Sequence, residues 1–238
     1  MRLLRRPAFN AALVLNVVGF GLHITALQSL PLFLVQAVIS CSVAVTALLS
    51  VRVFHVPLTR GQRMALVAVF VGLGMLAPTA SSNGAAGAGT AGVIALVAAV
   101  AAVLVLSLGA VRLATSTAAL ALGLLAGASF GIVAVSARLL PDLSPLTLVR
   151  SPVTYVLCGA GLVAFLLYST AMQRGSVTTS AAAVVVTQTA VPALVGAVLL
   201  GDRVRSGLVP LAVAGFALAV LGALGLARFE AEGALTQG

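Results

Sequence analysis

The sequence predicts an all-α fold, a polytopic transmembrane bundle of about eight helices built from two incomplete inverted repeats. Four observations carry that expectation. Of 238 residues, 61% are hydrophobic and only 7% are charged, too few polar groups to cover a soluble globule of this size. The basic residues are all arginine and lie in short clusters between apolar stretches. Each main stretch is close to the roughly 20 residues that cross a hydrocarbon core, where a helix alone satisfies its own backbone. Finally, a short pattern ending the first stretch returns at the end of the sixth.

The chain opens Met1-Arg2-Leu3-Leu4-Arg5-Arg6, like the basic region of a signal peptide. The apolar segment that follows is too long, carries Asn10 and Asn16, and has no convincing cleavage site, so a retained helix is expected over 8–28. Pro31 stops it. The second span is expected over 32–54, followed by a basic hinge with Arg52, His55, Pro57, Arg60 and Arg63. A short third span, 64–76 or slightly beyond, is closed by Pro78. Residues 79–87 are small and uncharged and read as a flexible linker. The fourth span, 91–110, ends at Arg112, and the fifth, 118–136, at Arg138. A loop with Pro141, Asp142, Pro145, Arg150 and Pro152 leads to the sixth span, 153–172. The seventh and eighth follow over 177–200 and 208–227, before a polar tail with Arg228, Glu230 and Glu232. The division is therefore a first, incomplete repeat over 1–80 with three helices, a linker over 81–90, a second repeat over 91–228 with five helices, and a tail over 229–238.

Arginine placement sets the expected orientation. Arg2, Arg5, Arg6, Arg52, Arg60, Arg63, Arg112, Arg174 and Arg228 fall on one side, and Arg138, Arg150, Arg203 and Arg205 on the other. The richer side is the cytoplasmic one, which puts both termini there. The bias is strong in the first half and nearly neutral in the second.

The repeat pairs Ala26-Leu27-Gln28 with Ala171-Met172-Gln173. Each is followed by a turn, a long span, a basic hinge and a glycine-containing span. The hinges are Phe54-His55-Val56-Pro57-Leu58-Thr59-Arg60 and Gly201-Asp202-Arg203-Val204-Arg205-Ser206-Gly207. An odd number of crossings separates the copies, so they run in opposite senses, a frequent plan for secondary transporters.

The stretch Ala171-Met172-Gln173-Arg174-Gly175-Ser176-Val177, through Thr187-Gln188-Thr189-Ala190-Val191-Pro192 to Leu199-Leu200-Gly201-Asp202-Arg203, resembles the drug/metabolite transporter superfamily, in its EamA-like branch. That family shows an Ala/Gln turn, a small-residue helix with a proline, then Leu-Gly-Glu/Asp. Ala26-Leu27-Gln28, Pro31-Leu32 and Val35-Gln36 match more loosely, and the likeness covers about 26–80 and 118–228. It implies a plasma- or inner-membrane secondary transporter, an exporter of a small metabolite, working by alternating access about a midplane cavity. Family members usually have nine or ten helices, so one or two opening helices are expected to be missing. Either translation begins upstream of Met1, or the first repeat has lost a part. A truncated, non-transporting membrane subunit acting through a partner protein is the alternative reading.

Other classes are disfavoured by placement. A charge of +9 and a pI near 11.7 would suit nucleic acid only if the arginines formed a soluble patch, and they are scattered between spans. No nucleophile–base set, metal-ligand spacing or phosphate loop is present, so no enzyme, cofactor or metal is expected. Cys41 and Cys158 read as small apolar packing residues. The expected partners are the lipid bilayer and a small-molecule substrate, with a homodimer left open.

Asp142, Asp202, Glu230 and Glu232 all fall outside the spans. Without an intramembrane carboxylate, recognition is expected to come from hydrogen bonds to an uncharged or zwitterionic solute. The candidate substrate-binding residues are Asn16, His23, Gln36, Ser40, Ser42, Thr187 and Gln188. Asn16, Gly19 and His23 share a helix face. Gln188 lies between Thr187 and Thr189, four residues before Pro192, which has no N–H to offer the Gln188 carbonyl. Ser40, Cys41, Ser42 and Thr46 join Gln36 in making the second span the most polar of the first half. The expectation is that Asn16 and Gln188 share a polar cavity with part of 36–46. An interhelical hydrogen bond, or a kink satisfied by a neighbouring hydroxyl, is the structural alternative at each position. Gly123, Gly127 and Gly131 form a stripe expected to let another helix approach closely. Asp202, beside Arg203 and Arg205, is expected to be an interfacial cap and topology marker rather than a gate.

Overall fold

The computed structural model describes residues 7–42, 44–45, 48–49, 59–81, 89–141, 143–175 and 177–235. The N-terminal arginines, the hinge residues Arg52, His55 and Pro57, Thr46, Asp142, Ser176 and linker residues 82–88 lie outside that set. So do the side chains of Asn16, Arg228, Glu230 and Glu232.

Among the described residues the fold is all-α, with nine helices in chain order. They are α1 (Pro7–Ser29), α2 (Leu32–Ser40), α3 (Arg60–Leu76), α4 (Thr90–Ala110), α5 (Thr115–Arg138), α6 (Pro145–Arg150), α7 (Pro152–Arg174), α8 (Val177–Val198) and α9 (Val209–Leu235). Five stretches are long and apolar enough to cross a membrane: Arg60–Thr79, Thr90–Ala110, Thr117–Arg138, Pro152–Arg174 and Thr179–Val198. By helix length and hydropathy the chain is a multi-pass membrane protein, and the lipid bilayer is its surrounding medium.

Burial supports that class. Large aliphatic side chains point outward, among them Leu15, Met64, Leu108 and Val198, while Ala118, Ala119, Ala126, Ala160, Ala164 and Ala219 are enclosed. Against lipid there is no hydrophobic gain in hiding a leucine, so helices meet where small residues let their backbones approach.

Local chemistry moves several boundaries. α3 begins before the expected 64, because Thr59 and Gln62 form a capping box: the Thr59 side chain accepts from Gln62 N, and Thr59 N donates to Gln62 Oε1. α7 starts with Pro152 in its first turn, where a missing N–H costs nothing. α6 occupies part of the loop between the expected fifth and sixth spans. α9 continues past the expected end at 227 to Leu235, so the first part of the expected tail is helical. Ala231, Glu232, Ala234 and Leu235 are good helix formers.

α5 is the hub, packed against α7, α8, α4 and α1. Its glycine stripe lets another helix approach closely, as expected from the sequence, and that helix is α8. A Cβ on Gly127 would lie 2.7 Å from Val184 O, and one on Gly123 3.0 Å from Ser180 O. At Gly131 it would lie 3.1 Å from Pro192 Cδ, so this glycine makes room for the proline ring. A second close pair joins α3 and α9, where a Cβ on Gly72 would lie 2.5 Å from Ala219 N and one on Gly222 2.7 Å from Ala65 O. α2 packs on α8 and more lightly on α9 and α3.

One expectation is corrected at the linker. Ala80–Ser81 is a strand paired antiparallel with Arg203–Val204, with Ala80 opposite Val204. Arg205 N donates to Thr79 O at 3.0 Å. Small residues that look flexible in sequence have free backbone groups, and the turn between α8 and α9 supplies their partners.

Candidate functional site

α1 and α2 are one apolar run broken near Pro31. A broken run leaves carbonyls unsatisfied where α1 ends and N–H groups unsatisfied where α2 begins. Arg138, the last residue of α5, reaches those carbonyls: Nη1 donates to Leu27 O at 2.6 Å and to Leu30 O at 2.5 Å. Asp202, in the turn after α8, serves the other end, where Oδ2 accepts from Leu32 N at 2.7 Å. The two side chains also meet, Arg138 Nη2 to Asp202 Oδ1 at 3.1 Å, with side-chain exposures of 1% and 0%. The guanidinium thus caps α1 and the carboxylate caps α2, each from the far half of the chain.

The turn is shaped for this. Gly201 adopts φ +69°, which a residue with a Cβ takes up reluctantly. Asp202 N donates to Gly196 O at 2.9 Å. A Cβ on Gly196 would lie 2.5 Å from Asp202 Oδ2, so the carboxylate occupies the space a side chain would take. Gln28 Nε2 adds a bond to Leu140 O at 3.3 Å. Asp202 is therefore a cap, as expected, and also a buried ion-pair partner, which the sequence reading did not include. Arg138, expected only to end a span, is enclosed with it. Burying both charges is tolerable because each also bonds to backbone groups that would otherwise be orphaned.

Further along α2, Gln36 and Ser40 are buried. Ser40 Oγ donates to Gln36 O at 3.1 Å and lies 3.1 Å from Thr189 Oγ1 on α8. Thr189 Oγ1 itself donates to Val185 O at 2.6 Å. This is the polar meeting point of the two predicted lining helices. Thr189 was not in the predicted set, although its hydroxyl beside Gln188 was visible in the sequence.

The other candidates are distributed more widely. Thr187 and Gln188 are half-buried on α8, and Thr187 Oγ1 donates back to Ala183 O at 2.9 Å. Gly127 packs beside both, a Cβ there lying 2.8 Å from Thr187 Cβ and 3.0 Å from Gln188 N. His23 is half-buried on α1, and Ser42 is exposed. The Asn16 side chain lies outside the described residues. Open clefts of about 420, 530 and 460 Å³ lie along the bundle. None of these three is lined by a residue of the predicted set.

No metal-binding group of His, Cys, Asp or Glu occurs among the described residues. Comparison with family models, with curated proteins and with solved structures returned no match to this chain.

Proposed function

We propose that the protein is a secondary transporter of the EamA-like, drug/metabolite type, exporting a small uncharged or zwitterionic metabolite by alternating access. The observation that carries this reading is a pairing of repeats. α2 packs on α8 and α3 packs on α9. The sequence repeat makes these helices equivalent, and mates nearest the axis relating two inverted halves are the ones that meet. Gln36, Ser40 and Thr189 sit at the α2–α8 contact and are the first choice for solute hydrogen bonds, with Thr187 and Gln188 beside them. Each hydroxyl donates its one proton to a carbonyl of its own helix and keeps lone pairs that can accept from a solute at small net cost, as binding and release both require. Two inverted repeats of about eight crossings would lie in the plasma or inner membrane with both termini cytoplasmic.

The test is solute counterflow in proteoliposomes, using a panel of neutral and zwitterionic metabolites. The parent should exchange at least one solute above empty vesicles. Replacing Ser40 by Ala together with Thr189 by Val should reduce that exchange by about tenfold, the value of roughly 1.4 kcal/mol of lost hydrogen bonding. If no solute moves, the non-transporting subunit becomes the better reading.

A further inference from the structure

We propose that Arg138 and Asp202 form a latch that holds the arginine-poor end of the bundle closed, and that releasing it opens the seam between the two halves. Its purpose rests on the transporter reading above; its existence does not.

The latch joins four places in the chain. Arg138 ends α5 and Asp202 lies in the α8–α9 turn, both in the second half. Leu27 and Leu30 at the end of α1, and Leu32 at the start of α2, belong to the first half and receive their bonds. Other bonds across the halves gather at this same end: Gln28 to Leu140 O, and the strand pair of Ala80–Ser81 with Arg203–Val204. At the opposite end the bond from Arg174 Nη1 to Val111 O stays within the second half.

A connection of this kind switches rather than bends. The guanidinium and carboxylate satisfy each other and the broken α1–α2 junction together, so losing one bond exposes the remaining groups and favours losing the rest. Below the latch the halves meet through apolar side chains, Phe33, Val69 and Leu76 among them, and the Ser40–Thr189 hydroxyls are the polar contact that water can reach once the end opens. Ser40 lies eight residues beyond Leu32, roughly 12 Å deeper along α2.

The experiment uses the full chain in nanodiscs, with Cys41 and Cys158 replaced by Ala and Ser40→Cys as the reporter. A water-soluble thiol reagent is added, and the labelling rate is read by mass spectrometry. With the latch intact, labelling should be slow. In Arg138→Gln/Asp202→Asn, which keeps both shapes and leaves no lone buried charge, it should rise about tenfold or more, a shift of open population by one decade. Gly196→Ala changes no charge but places a methyl against Asp202 Oδ2 and should accelerate labelling too. Gly74→Ala, whose Cβ would meet nothing within 4 Å, is the control and should stay slow. Unchanged labelling in both the double variant and Gly196→Ala overturns the latch. Faster labelling, with a parent protein that keeps Ser40 and moves no solute in counterflow, leaves the latch standing and removes the transport reading.

Discussion

Arg138 and Asp202 show what a single residue does when its surroundings are a broken helix. Each is enclosed, and each bonds both its charged partner and the backbone at the α1–α2 junction. Removing one partner leaves the other charge buried alone, which typically costs 3–5 kcal/mol, so Arg138→Ala should unfold far more readily in detergent than the parent, by about that amount. The paired change Arg138→Gln/Asp202→Asn should cost about 2 kcal/mol less than Arg138→Ala, because no lone charge remains. Thermal unfolding followed by circular dichroism compares them, and equal losses would mean that the charges contribute nothing beyond their shape. The Thr59 cap acts more locally. Thr59→Ala should destabilise the start of α3 by about 1 kcal/mol, seen as faster amide exchange over 60–63 with the rest unaffected.

At the scale of elements, glycine decides which helices touch. The α5 stripe and the α3–α9 contact both depend on backbones meeting where a Cβ would collide. Gly127→Leu should therefore lower the yield of monodisperse protein severely, since its side chain would enter Val184 O and Gln188 N. Gly109→Leu on α4, where a Cβ meets nothing within 4 Å, should be tolerated. Size-exclusion profiles of the two in detergent settle the matter, and a well-behaved Gly127→Leu would place α8 elsewhere. The stripe was legible because a period of four marks one helix face wherever it occurs. Its mate was not, because α8 presents ordinary Val, Thr and Ala there and nothing in them names α5.

For the molecule as a whole, the arginine count makes a topological prediction. Nine arginines against four predict a cytoplasmic C-terminus. A fluorescent protein fused there should be bright and an alkaline phosphatase inactive; the reverse would break the eight-crossing arrangement. The α1–α2, α3–α4, α5–α7 and α8–α9 connections meet at one end, through the Arg138–Asp202 pair and the Ala80–Ser81 strand.

Composition and span length by themselves determined the class of this protein and its long helices. These are local properties, because a run of apolar residues in hydrocarbon has no alternative to a helix whatever its neighbours are. The glycine stripe and the polar character of α2 and α8 were readable for the same reason. Only the tertiary structure decided that Arg138 meets Asp202 64 residues away, that Asp202 caps Leu32 across 170 residues, and that Ser40 meets Thr189 across 149. In sequence an arginine after a span and an aspartate after another look like surface markers. Burial of both became stable only when helix docking brought the unsatisfied backbone of a broken helix to the same place.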